Sequence, residues 1–404
     1  MNALFARSSW IAVLVCSALF AALTLNESSS FAFPYLNLDE QGHLSYALHL
    51  ARSPHFFPSL TDMRLYDFAA SAWSGEPNFI NHPPLSYHLL NLFSDFDTVG
   101  DTVGPGARRV SIAFFAFGFA SIIYAVHLTG LFSNLGLAAV TMFCVLLKIQ
   151  RFGETFSNDC VAFFGGGLAF LGAVLLWKSD LSRRALHAAF AAGAVGTALC
   201  IATKLNAAIL TGVFILVIFA VYARQERAGL ARISKPLLLL CAAVCVCAAL
   251  PYLVFFREFG SPAPDTPGQS KMISGNLDGS RLGFGAYLVQ SLAGAMQNAG
   301  GDAFVTYAVF TAVTAGAALT MSFGRRVDAG MFPLQPIARA ALAATALTLA
   351  LHLAFSYQRH LHYGWQPELY PRYYFPLLGP YLLLFFSALN RLGPFKAFAP
   401  KKGA

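Results

Sequence analysis

Apolar runs of about 18–20 residues recur from one end of this chain to the other, each long enough to cross a hydrocarbon core of about 30 Å. Inside lipid no water is available to the backbone, so each run must satisfy its own N–H and C=O groups and is expected as a helix. Charged residues make up 11% of the chain and hydrophobic ones 57%; a soluble domain carries about twice that charge. The expected class is an all-α polytopic membrane protein. Ten spanning helices are predicted at 10–25, 110–130, 135–149, 160–177, 185–202, 207–222, 236–256, 303–322, 337–355 and 374–390. Stretch 285–301 is apolar but short and interrupted by glycine, and reads as interfacial or re-entrant.

Charge sets the expected orientation. With the amino terminus in the cytoplasm, segments 1–9, 131–134, 178–184, 223–235, 323–336 and 391–404, with the edge residue Arg339, hold 15 cations and three acids. The other side then holds 12 cations and 16 acids. That is the positive-inside pattern, and it accounts for the net charge of +8 without a nucleic-acid partner. Residues 1–390 are read as one transmembrane domain with a large first outer loop over 26–109, followed by a short basic cytoplasmic tail at 391–404. The first helix, with Arg7 before its apolar core, is read as a retained anchor. Cys16, Cys144, Cys160, Cys200, Cys241, Cys245 and Cys247 fall in or beside helices, so no disulfide framework is indicated.

The polar chemistry gathers on the outer side. Just beyond the first helix comes Asp39-Glu40, an acid pair held where carboxylates are costly. It opens an amphipathic stretch, Gln41–Arg52, and Asn37 to Glu40 has capping-box spacing. Acids in a first helical turn are also explained by the helix dipole alone. The functional alternative is a base for an acceptor hydroxyl, or a cation site formed with His43 one turn on. Asn81-His82-Pro83-Pro84-Leu85-Ser86-Tyr87 leads a second short amphipathic stretch, Leu85–Phe93, as a surface turn or as a presenter of His82 to the cavity. The two stretches are read as surface helices covering that cavity.

Lys148, Arg151, Glu154 and Asp159 then form a polar knot at the entry to helix four, and Lys204 and Asn206 reach the same side. Asn158 and Asp159 also fit a helix cap, and Lys204 fits snorkelling. The last outer loop carries Arg359, His360, His362, Arg372 and Tyr373. Guanidinium binds two phosphate oxygens at once, so an anionic head group is one reading. An interfacial aromatic and arginine belt is the other.

In order, these motifs are Asp-Glu after helix one, His-Pro-Pro-Leu-x-Tyr before helix two, Asn-Asp entering helix four, Thr-Lys ending helix five and Arg-Tyr-x-x-Pro entering the last helix. The chain resembles the superfamily C glycosyltransferases over residues 1–390, particularly the branch with protein O-mannosyltransferases and bacterial lipid A aminoarabinose transferases. The resemblance implies transfer of a sugar from a polyprenyl-phosphate donor to an acceptor hydroxyl, with inversion, on the outer face of a bacterial inner membrane. It implies Asp39 as general base or metal-associated acid, Glu40 as its assistant and Asp159 as partner acid. Lys204 and Arg372 would meet the donor phosphate.

Metal dependence differs among such enzymes, so a divalent cation stays open. Many also carry a soluble domain after the membrane part. Only 391–404 follow here, so a small or lipid-linked acceptor is expected, with glycan or protein as alternatives. A transporter or flippase of an anionic lipid-linked substrate is the competing reading, supported only by intramembrane charge or internal repeats; neither is evident. A non-catalytic subunit of the same fold is the third.

Overall fold

The computed structural model describes residues 2–30, 39–94, 96–97, 102–103, 106–177, 182–226, 232–275, 281–298, 304–323, 332–364 and 370–391. Asn37 of the capping pattern and the basic tail beyond Arg391 lie outside them. The elements run α1 (Asn2–Ser30), α2 (Glu40–Arg52), β1 (Arg64–Asp67), β2 (Ala72–Pro77), α3 (Leu85–Asn91), β3 (Phe96–Asp97), β4 (Thr102–Val103), α4 (Gly106–Leu128) and α5 (Asn134–Leu146). They continue with α6 (Asp159–Leu176), α7 (Arg183–Ile201), α8 (Leu205–Gln225), α9 (Lys235–Phe259), α10 (Pro267–Gly275), α11 (Phe284–Asn298), α12 (Phe304–Phe323), α13 (Leu334–Tyr363) and α14 (Leu378–Arg391). A 3-10 turn, Pro371–Leu377, precedes α14.

All ten expected crossings are helical. Eight of them are long and apolar enough to span a membrane by themselves: α1, α4, α6, α7, α8, α9, α12 and α13. The other two, α5 and α14, are shorter, with 13 and 14 residues. α11 is also short, at 15 residues, as its glycines suggest. All seven cysteines are free.

α6 is the hub of the bundle. Its Gly165, Gly166 and Gly167 follow one another at about 100° steps around a helix of 3.6 residues per turn, so they meet three different neighbours. A Cβ on Gly165 would lie 2.6 Å from the Gly196 carbonyl oxygen of α7, and one on Gly167 2.5 Å from that of Gly118 in α4. A Cβ on Gly166 would run into the Pro376 carbonyl of the 3-10 turn. Between apolar helices in lipid, close backbone approach of this kind replaces the hydrophobic drive. Gly166→Ala is therefore expected to push the Pro371–Leu377 turn away from α6. The check is thermal melting in detergent beside Gly212→Ala, whose Cβ would meet nothing within 4 Å. Equal melting of the two would remove the packing argument.

The first loop holds more than two surface helices. β1 and β2 pair antiparallel, with Tyr66 opposite Trp73 and Asp67 opposite Ala72. The Asp67 carboxylate closes the turn by accepting from the Ala69 and Ala70 N–H groups at 2.9 and 3.1 Å, an Asx-type turn. A second antiparallel pair aligns Phe96 with Val103. α2 is not a surface helix: Leu44, Tyr46, Ala47 and Leu48 are fully buried, and Gly42 sits so near Phe79 that a Cβ would come within 2.8 Å. The loop is thus a folded cap whose buried residues continue the core of the bundle, because the hairpin covers the face of α2 that the sequence reading left to solvent.

Candidate active site

Asp39 and Glu40 face different ways, and one backbone feature separates them. Asp39 has φ +62° and ψ +12°, a left-handed conformation costing roughly 1–2 kcal/mol outside glycine. It stands at the N-cap of α2 but makes no side-chain capping bond, so helix capping does not account for it. Its carboxylate instead accepts from Arg372 Nη2 at 3.3 Å. Glu40, one residue on, is fully buried and chelated by Arg108, with Arg108 Nε donating to Oε1 at 2.7 Å and Nη2 to Oε2. The Phe156 N–H donates to the same Oε1 at 2.8 Å. Glu40 therefore fastens α2 to α4 and to the segment that leads into Asp159.

Asp159 begins α6, and Lys204, in extended backbone between α7 and α8, forms an ion pair with it. Asn158 does not cap α6 with its side chain; its Nδ2 donates to the Thr203 carbonyl at 3.0 Å and draws the Lys204 turn onto α6. Arg372 completes the group, its Nε 3.6 Å from Asp159 Oδ2. Tyr370 and Tyr373 lie against the guanidinium, with ring centroids 4.8 and 5.7 Å from Cζ, and Lys204 Nζ stands 5.0 Å from the Tyr373 centroid. The result is a chain of alternating charge, Asp39–Arg372–Asp159–Lys204. Its inner members are nearly buried, with the Arg372 and Asp159 side chains each 12% exposed, whereas Asp39 is 44% exposed. A substrate would meet Asp39 first.

His43 and His82 stack beside this chain, their ring centroids 6.0 Å apart. His43 Nδ1 and the Tyr87 hydroxyl share a hydrogen bond of 2.6 Å, and Tyr46 Oη donates to the His82 carbonyl at 2.9 Å. Burial, then the charges of Lys204 and Arg372, push His82 down to about 3. Burial also holds His43 well below the usual imidazole range, with His82, Arg372 and Lys204 adding to it. Both rings are neutral at pH 7 and can each donate one N–H. The cation site considered for Asp39, Glu40 and His43 is drawn apart, since the three side chains go to Arg372, Arg108 and Tyr87. Among the described residues no three His, Cys, Asp or Glu side chains converge for a metal ion.

The last-loop candidates separate as well. Arg359 pairs with Asp265, and His360 Nε2 accepts from the Leu282 N–H at 2.8 Å. The exposed His362 offers its carbonyl to Arg281 at 3.3 Å. No hydrogen bond or ion pair among the described residues joins these three to the Asp39 chain. They fasten the segments around α10 and α11, where Asn81 Nδ2 also donates to the Pro264 carbonyl at 2.8 Å.

The polar knot likewise resolves into parts, Asp159 joining the site while Arg151 approaches Glu27 at 3.9 Å. Glu154 is buried with one carboxylate oxygen lacking a hydrogen bond among the described residues. Burial first, then Glu27, raises it to about 8. Its folded form thus binds a proton that the unfolded chain releases above about 4.5, and stability falls as pH climbs from there to about 8. Glu154→Gln is expected to flatten that fall, gaining on the wild type at pH 8 and matching it near pH 4. Parallel melting curves across this range would refute the buried acid.

Arg108 and Tyr370 were missed as site residues in the sequence. The available signal was Arg108-Arg109, two adjacent cations on the side that the charge rule leaves poor in them.

The helical bundle with its loop-covered end has the fold of a solved membrane protein. The chain aligns over 95% of its length with the crystal structure of ArnT from Cupriavidus metallidurans bound to undecaprenyl phosphate, at 16% identity and a TM-score of 0.52. With the apo state of the same protein the values are 97%, 17% and 0.52. It spans about 60% of the length of those chains. No family model and no curated protein matches the sequence, so the likeness is one of fold.

Proposed function

We propose that the chain moves a sugar from a polyprenyl-phosphate donor to an acceptor hydroxyl at the outer membrane face, with inversion at the anomeric carbon. The observation that carries this reading is the alternation of two acids with two cations, buried at Lys204, Asp159 and Arg372 and open at Asp39, at the loop-covered end of an apolar bundle. A crystal structure with the same fold holds undecaprenyl phosphate, which supports a lipid-phosphate carrier.

The chemistry follows from the residues. The leaving phosphate gains negative charge as the bond from the anomeric carbon breaks, and Arg372 and Lys204 stabilise that charge. Arg372 Nε is buried without a hydrogen bond among the described residues and faces Asp159 Oδ2 at 3.6 Å, so its N–H is not spent in a close bond within the chain of charges. Tyr370 and Tyr373 hold the guanidinium plane, and the neutral His82 adds one N–H. Asp39, exposed on the other side of Arg372, takes the acceptor proton as the acceptor oxygen attacks opposite the phosphate. Asp159 is a positioning residue that holds Lys204 and Arg372, and Glu40 positions Asp39 through Arg108.

The test is transfer from a panel of radiolabelled polyprenyl-phosphate sugars by purified protein in lipid. A new labelled product supports the reading; binding without turnover favours the flippase, and no binding to any donor ends it. Arg372→Ala should weaken donor binding roughly 10- to 100-fold, as losing a hydrogen bond to a charged group does. Unchanged affinity would return Arg372 to the aromatic belt.

A further inference from the structure

We propose a second, separate lipid site: a groove on the outer half of α4 that holds one anionic phospholipid of the outer leaflet, its phosphodiester on Arg109. A cavity of 710 Å³ opens there between α4, α6 and the residues after α3, lined by Phe93, Arg109, Val110, Phe114, Phe117 and Phe164. Three ring contacts build its walls: Phe93 with Phe114 at 6.4 Å, Phe114 with Phe164 at 5.9 Å, and Phe117 with Phe164 at 6.2 Å. Phe93 and Phe117 remain largely exposed, so the groove opens outward to the bilayer.

Adjacent arginines divide the labour. Arg108 turns inward to Glu40. Arg109 is exposed at the mouth of the groove and has no hydrogen bond or ion pair among the described residues. It lies in the first turn of α4, where a positive helix terminus adds to its charge.

The dimensions fit one leaflet. From Gly106 to Phe117 a helix rises about 16 Å, close to half of a hydrocarbon core of about 30 Å. Arg109 then sits at head-group depth and Phe117 near the bilayer middle. A single cation suits the single charge of a phosphodiester, whereas the two cations of the Asp39–Arg372–Asp159–Lys204 chain suit the second charge that the donor's phosphodiester gains on leaving as a monoester. The groove shares no residue with that chain, so the site stands whether or not the transferase reading does.

The experiment is native mass spectrometry of the full chain, exposed to equal phosphatidylglycerol and phosphatidylcholine in neutral detergent. The wild type is expected to retain phosphatidylglycerol with roughly fivefold preference, the effect of one basic residue at an anionic surface. Arg109→Gln should bring the preference to parity and Arg109→Lys should keep it. Phosphatidylglycerol should also raise the melting temperature of the wild type but not of Arg109→Gln. No preference in the wild type, an unchanged preference in Arg109→Gln, or displacement of the phosphatidylglycerol by equimolar polyprenyl phosphate would each overturn the proposal.

Discussion

Asp39→Asn is expected to cut sugar transfer roughly 10²- to 10⁴-fold, the usual contribution of a positioned general base, while the protein still folds and inserts. Asparagine keeps the shape of the side chain and removes the proton acceptor. The carboxylate is 44% exposed and makes one 3.3 Å contact with Arg372, so its loss weighs little on the fold. The same variant should still bind donor, because Arg372 and Lys204 are untouched. Radiolabelled turnover, donor binding and melting temperature measured together separate these effects. Wild-type turnover in Asp39→Asn would end the base assignment even if transfer itself is real.

The second large effect belongs to the residue behind it. Arg108→Met should destabilise the protein by about 3–5 kcal/mol, because removing one partner leaves a buried charge uncompensated. Glu40 is fully buried and accepts two bonds from that guanidinium besides the one from Phe156 N–H. The double change Glu40→Gln with Arg108→Met should recover part of the loss, since no charge is then stranded. Melting of the single variant within a degree of wild type would mean that the pair does not hold α2 in place. The two experiments together distinguish neighbouring carboxylates that the sequence presents as one motif.

That distinction marks where the chain's own code stops. Periodic apolar length pointed to ten helices, eight of them long enough to span a membrane, since a bilayer leaves a run of that size no alternative to a helix. Ordered motifs around residues 39, 82, 159, 204 and 372 pointed to groups that do converge, because each flanks a spanning segment and such segments end at only two surfaces. Arg359, His360 and His362 had the same signal and went elsewhere: they lie on the last turns of α13 rather than on the loop expected to carry them with Arg372, and there Arg359 found Asp265 and His360 found the Leu282 N–H.

Side-chain direction was beyond the sequence. Whether Asp39 caps a helix or faces Arg372 depends on one positive φ, and whether Glu40 is reactive or structural depends on an arginine 68 residues away. The approach of the Pro371–Leu377 turn to α6 rests on Gly166 meeting Pro376, a contact between segments that no local pattern relates. Local composition alone fixed the membrane class and the order of the apolar helices, because desolvation acts on each segment by itself. Their ends shifted by up to eight residues, as at Leu334–Tyr363 against the expected 337–355. Which charges pair was decided only when packing brought distant segments within a few ångströms, the range over which ion pairs and hydrogen bonds act.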